Sequence, residues 1–169
     1  MSVDAIRYKT YNNIVDTITC VGEQHRQIKT VTTGDIWSID LEKNTLYPLM
    51  HVNPVSVVMQ QGEAIYNFQI FMCDLVEPNL SNEQEVLSDT LLLAQDIISI
   101  FKSGEILYHS STSAGEEPRY WTDANFTIEP FTERFSNALT GWVFNFPVVV
   151  ENPYDSCNIP IDNSTICVK

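Results

Sequence analysis

From Ala64 to Val76 the side chains alternate without a break: Tyr66, Phe68, Ile70 and Met72 fall on one side, and Asn67, Gln69, Phe71 and Cys73 on the other. A period of two in aromatic and β-branched residues is the pattern of a strand with one face in a core. Gln61-Gly62-Glu63 precedes it as a short turn, and Val55–Gln60 precedes the turn as another apolar run. Residues 55–76 therefore predict a β-hairpin. A hairpin is marginal alone, so the rest of the chain must supply more strands and a layer over the apolar face.

Further strands are expected late in the sequence. In Thr140–Val150, Trp142, Phe144, Phe146, Val148 and Val150 share one face, while Val143, Asn145, Pro147 and Val149 share the other. Pro147 cannot donate to a ladder, which places part of this strand at a sheet edge. Gly141 permits a bend or the close approach of another backbone. Ala124–Glu129 also alternates, with Phe126 and Ile128 together, and Thr132–Asn137 reads as a bend between paired strands. Tyr47-Pro48 marks a sheet edge or the start of a strand.

Two segments carry the helical period. Ile14, Ile18, Val21, His25 and Ile28 recur at spacings of four and three, predicting a helix from residue 5 or 10 to about 30 that Gly22 weakens by about 1 kcal/mol. His25 on this stripe is expected at the boundary, ring packed and nitrogens toward solvent. The second helix follows Pro78. Ser81 with Gln84 or Glu85 has the capping-box spacing, Leu87, Leu91, Ala94, Ile98 and Phe101 form one stripe, and Val86, Leu93, Ile97 and Ile100 form another. So wide an apolar arc packs on a sheet rather than in a coiled-coil seam. Lys102 and Gly104 have the chemistry of its last turn and C′ position.

The order helix, hairpin, helix, strands lacks alternating βαβ units and disfavours a parallel nucleotide-binding sheet. The expected fold is α+β: a small antiparallel sheet of four to five strands with two helices packed on one face. Residues 1–152 form a single domain in this reading, and residues 153–169, with Pro153, Pro160 and no periodicity, form an extended C-terminal arm. The polar run 109–118 reads as a loop.

Composition narrows the function. The chain has 44% hydrophobic and 18% charged residues, which places it among globular proteins, and its 169 residues suffice for one core. Nine basic against twenty-two acidic residues leave a net charge of −13, which repels phosphate backbones and disfavours direct nucleic-acid binding. The charge serves solubility or matches a basic partner surface. Apolar runs such as Leu91–Ala94 and Val148–Val150 are too short to cross a bilayer. Met1-Ser2-Val3-Asp4 has no basic segment followed by an apolar run, so synthesis and folding in a cytoplasm are expected.

Chemistry finds no foothold in the residues. Cys20, Cys73, Cys157 and Cys167 form no C-x-x-C pair, and His25, His51 and His109 are scattered, so no metal site is expected. Cys20 and Cys73 read as small hydrophobes; Cys157 and Cys167 flank a polar tail where they could meet, though in a reducing compartment they would remain thiols. Phosphate loops, nucleophile elbows and H-E-x-x-H are missing, so neither a catalytic residue nor a cofactor is assigned. Carboxylate pairs such as Glu116-Glu117 and Asp35/Asp40 arise by chance in so acidic a chain.

Three tryptophans, seven tyrosines and eight phenylalanines exceed what two helices on a small sheet require. They suit a sheet buried on both faces, the second covered by neighbouring subunits. Phe71 and Val143, opposite the main apolar stripes, are candidates for that interface, with Trp37, Tyr47, Trp121 and Tyr154.

Three stretches carry a resemblance. The run Gly34-Asp35-Ile36 through Ile39-Asp40-Leu41-Glu42-Lys43-Asn44-Thr45-Leu46-Tyr47-Pro48-Leu49-Met50-His51-Val52 resembles a segment of bacteriophage virion proteins. So do Phe71-Met72-Cys73-Asp74-Leu75-Val76 and Glu129-Pro130-Phe131-Thr132-Glu133-Arg134-Phe135 through Leu139-Thr140-Gly141-Trp142. Across about residues 5 to 155 the element order is similar to that of the tail-terminator and tail-completion family. The resemblance implies helices on one face of a small antiparallel sheet and subunits closed into a ring, often a hexamer, at the neck or tail end of a virion. It implies no active site, contacts with other neck or tail proteins, and an acidic lumen through which DNA slides without specific binding. Alternatives are another virion component (head-closure stopper, tail tube or baseplate protein) or a ligand-binding module using residues 109–123 with Tyr120 and Trp121.

Overall fold

The computed structural model describes residues 10–35, 45–103, 120–134 and 138–152. Helix α1 (Tyr11–Gln24) is followed by strands β1 (Thr30–Thr33), β2 (Leu49–Gln60) and β3 (Gly62–Leu75), helix α2 (Glu83–Ser103), and strands β4 (Ile128–Arg134) and β5 (Ala138–Asn152). The strands form one sheet in the order β1-β2-β3-β5-β4. The fold is α+β with a small five-stranded sheet, as the alternation indicates. It is a mixed sheet, because β1 pairs parallel with β2 while the other pairs are antiparallel.

That parallel strand is a departure from the expected helix. Helix α1 stops at Gln24, where the His25 backbone N–H bonds back to the Gly22 carbonyl at 3.2 Å. Ile28 is buried as its spacing suggests, but irregular chain delivers it, and Thr30-Val31-Thr32-Thr33 then extends. Four consecutive β-branched residues favour a strand over a helix. Cys20 lies two positions beyond buried Ile18, on the far side of the helix, and is exposed rather than packed. His25 is tucked in, with Nε2 3.1 Å from the Asp96 carboxylate of α2.

The hairpin is longer than its apolar run. Pro48 stands at the start of β2, and Pro54 is accommodated where the register shifts, Pro54 facing Phe68 while Ser56 faces Asn67. Val55 is the extra residue of a bulge there. Gly62, at φ 85°, turns the chain into β3. Strand β4 runs to Arg134, through residues read as a bend. Pro147 sits where β5 has outrun β4, whose pairing ends at Phe144, so the expected edge position holds.

One face of the sheet carries the core. Tyr66, Phe68, Ile70 and Met72 of β3 stand in register with Val148, Phe146, Phe144 and Trp142 of β5. Both helices bury their stripes there: Ile14 and Ile18 from α1, and Leu93, Ala94, Ile97, Ile98 and Phe101 from α2. Phe101 meets Phe146 edge-on at 4.9 Å, and the Trp142 indole N–H donates to the Leu87 carbonyl at 2.7 Å, pinning α2 to β5. The capping box does not form. Ser81 donates its hydroxyl to Glu77 at 2.6 Å instead, and Asn82 precedes the helix, its carbonyl accepting from Val86. Gly104, the 109–118 loop and the 153–169 arm lie outside the described residues.

Gly141 is where β5 needs glycine. A Cβ there would collide with the Met72 carbonyl oxygen and stand 2.7 Å from the Cys73 Cα, both on the neighbouring strand. Gly141→Ala is expected to fall at the upper end of the roughly 1–3 kcal/mol cost of overpacking. Gly62→Ala, with nothing within 4 Å of its Cβ, costs only about 1–2 kcal/mol of left-handed backbone strain. Thermal denaturation of the two variants should show Gly141→Ala as the less stable.

Candidate assembly surface

Neither helix covers the second face of the sheet, which divides into two halves. At one end the chain covers itself: Leu49, His51, Phe71 and Cys73 are all buried. Phe71 packs edge-on against Phe131 of β4 at 5.6 Å and lies 6.1 Å from the His51 ring. Phe71 is thus on the predicted face, but at 6% exposure its ring is already occupied within its own subunit.

The chemistry of this buried end is quiet. Burial pushes the Cys73 thiol up to about 12, with the Asp74 charge adding, so it remains protonated and is no nucleophile near neutrality. His51 is fully buried, with Nδ1 2.8 Å from the Thr32 hydroxyl. Its Nε2 is buried without a hydrogen-bond partner among the described residues. Burial lowers the His51 pKa, against the opposing pull of the Gly34 and Asp35 carbonyls and the Asp35 charge. Burial also raises Tyr47, reinforced by Cys73 and Asp74, and raises Asp74, where the Leu75 backbone N–H pulls the other way. No group of three His, Cys, Asp or Glu among the described residues is placed to hold a metal.

The other half of the face carries no charge and is less deeply buried among the described residues. Asn53, Gln69 and Asn145 lie side by side across β2, β3 and β5, and Ser56, Asn67 and Pro147 form the next row. Asn145 and Ser56 are exposed and the others are half-buried. Within the second row the Asn67 amide donates to Ser56 at 3.2 Å. Half-buried Ile65, beside buried Val149, extends this floor toward the hairpin tip, where Glu63 pairs with Glu151, and Val143 extends it toward Glu129. Carboxylates therefore frame the surface, and none stands inside it.

Of the predicted interface residues, Val143 is half-buried on this face, next to Phe71 in the register. Trp121 forms an isolated antiparallel bridge with Val149, its backbone accepting from the Val149 N–H at 2.8 Å. Facing residues of a bridge share a side, so Trp121 borders the same surface, with its indole N–H donating to Asp123 at 3.2 Å. Tyr47 is half-buried near Cys73 and Asp74, while Trp37 and Tyr154 lie outside the described residues. The amide row was not singled out from the sequence, because Asn and Gln in a strand read as its solvent side. Only cross-strand register aligns them.

No protein-family model matches the sequence, and no curated protein matches it. No helix among the described residues is long and apolar enough to cross a membrane.

The lowered His51 pKa has a definite sign. The unfolded chain binds a proton at about pH 6.5, where the buried imidazole does not, so stability is lost as pH falls below that value. Asp74 acts oppositely, since its raised pKa favours the folded state at low pH and loses that contribution as pH rises through the carboxylate range. Melting temperature is expected to decline from pH 7 to 5.5, and His51→Gln to flatten the decline.

Proposed function

We propose that this chain is a non-enzymatic structural subunit of a bacteriophage virion, assembling with copies of itself into a ring at the head–tail neck or tail end, as tail-terminator and tail-completion proteins do. The observation that carries the reading is the uncharged, partly exposed half of the second sheet face. Its amides and aliphatic groups are neutral on a chain of net charge −13. Copies of so acidic a protein repel one another at long range, so a stable contact between them must form where charge is missing. Amide side chains adapt their donors and acceptors to a neighbour, and Ile65, Val143 and Pro147 supply apolar area. In a closed ring the carboxylates left outside the contacts repel the DNA backbone, which favours passage over binding.

A ring needs a head-to-tail interface whose rotation closes, and the uncharged half of the second face would form one side of it. A ligand module built on Tyr120 and Trp121 is less well supported, because Tyr120 is buried in the helix-side core. Other positions in the particle, such as a stopper, tail-tube or baseplate ring, would use the same surface and remain the alternative.

Mass photometry of the purified protein should show a closed species built from rings of about six subunits, as one ring or as a pair. Gln69→Arg, at the centre of the neutral floor, is expected to shift that species to smaller assemblies with unchanged circular dichroism. A wild-type chain that stays monomeric throughout the micromolar range overturns the proposal.

A further inference from the structure

Strand β2 has a neighbour on both sides for only its first residues. Strand β1 pairs with Leu49–Val52 and goes no further, so from Asn53 onward no strand among the described residues flanks the outer edge of β2. Pro54 and the bulge at Val55 blunt the beginning of this edge. Beyond them, Ser56–Gln60 is regular and exposed throughout, with Val57 at 44%, Val58 at 47% and Met59 at 55% exposure. From Asn53 through Gln61 there is no charged residue.

The opposite margin of the sheet is built differently. The outer strand β4 has the sequence Ile-Glu-Pro-Phe-Thr-Glu-Arg, with Pro130 lacking a donor and Glu129, Glu133 and Arg134 carrying charge. Proline and charged residues are the devices by which sheets prevent edge-to-edge pairing. One edge of this sheet has them, and Ser56–Gln60 has none.

We propose that a second copy of this chain pairs antiparallel with Ser56–Gln60, joining two sheets across a two-fold axis. The segment is self-complementary about Val58. Val58 faces its own symmetry mate, Val57 faces Met59 in both directions, and Ser56 faces Gln60. No like charges meet, which for a chain of −13 is the condition for two copies to approach. Val57 lies on the helix side of the sheet, opposite Tyr66, beside a cleft of about 210 Å³ lined in part by Tyr11, Val57 and Tyr66. The partner's Met59 falls opposite Val57 on this side of the sheet, while within its own chain its thioether accepts from the Asn152 amide at 3.7 Å. A basic partner is disfavoured because the edge offers it no carboxylate. The contact is isologous, distinct from the head-to-tail contact of a ring and independent of it. In a ring it links two rings back to back.

The test compares native masses of wild type, Val58→Lys and Val58→Thr. Val58→Lys sets two ammonium groups against each other at the axis and is expected to halve the wild-type mass, while the neutral, β-branched threonine preserves it. Met59→Lys repeats the test one residue along, and circular dichroism checks the fold of each. Wild-type pairing should also strengthen as salt screens the acidic surfaces, whereas pairing with a basic partner would weaken. A dimer that Val58→Lys turns into a monomer supports the two-fold contact and overturns the ring. A wild-type ring whose mass both lysine variants leave intact overturns the two-fold contact and leaves the ring standing. Halving on removal of residues 153–169, with no effect of either lysine, assigns the contact to that segment and overturns the inference, as does a wild-type monomer.

Discussion

The long antiparallel register between β3 and β5, from Gly62 opposite Asn152 to Leu75 opposite Leu139, holds the rest of the structure in place. It aligns the apolar alternation of both strands on one side, so that Tyr66, Phe68, Ile70 and Met72 share a surface with Val148, Phe146, Phe144 and Trp142. A slip of one residue would turn each of these side chains to the opposite face. Gly141 is matched to this register, because only a residue without a Cβ tolerates the backbone of Met72 and Cys73 so close. Both helices depend on the resulting surface: α2 through Phe101 against Phe146 and through the Trp142 indole, and α1 through Ile14 and Ile18.

The same register shapes the second face, with a different chemical outcome. The odd-numbered residues of β3 and β5 include aromatic, thiol, amide and aliphatic side chains, and pairing sorts them along the strands. Phe71 and Cys73 go to a buried end that they share with Leu49, His51 and Phe131, where burial holds the thiol protonated and lowers the imidazole's proton affinity. Gln69, Asn67 and Ile65 go to the end that neither described helix covers. A surface of amides and small aliphatic groups costs little to expose to water and little to desolvate against a complementary neighbour. That balance is what the proposed contact between copies uses.

Charge distribution links the two proposed contacts. A net charge of −13 on 169 residues opposes self-association everywhere except where carboxylates are excluded. Two such places stand out, the floor of the second face and the outer edge of β2 from Ser56 to Gln60. They differ in symmetry as proposed, since in a head-to-tail ring the sheet face would meet a different surface on the next copy, whereas an antiparallel edge meets itself.

Much of this architecture was legible in the residues themselves. Period-two runs in 64–76 and 140–150 and the four-and-three spacing of 86–101 depend only on which side chains avoid water, and each became the expected element. The sheet's edge at Pro147 followed from a missing donor. Other features were not legible, because they depend on partners distant in sequence. Ile28 fits a helical stripe and is buried, yet only the pairing of Thr30–Thr33 with Leu49–Val52 ends the helix at Gln24. Ser81 has the spacing of a cap, but the turn gives its hydroxyl to Glu77. The neutral floor exists only once Asn53, Gln69 and Asn145 are brought together from three strands. By itself the sequence determined which faces are apolar, since periodicity is a local property of a helix or a strand. Tertiary structure alone decided which strand lies beside which, and therefore which edge and which face stay open, because register and neighbour order are set by contacts between segments that no local spacing encodes.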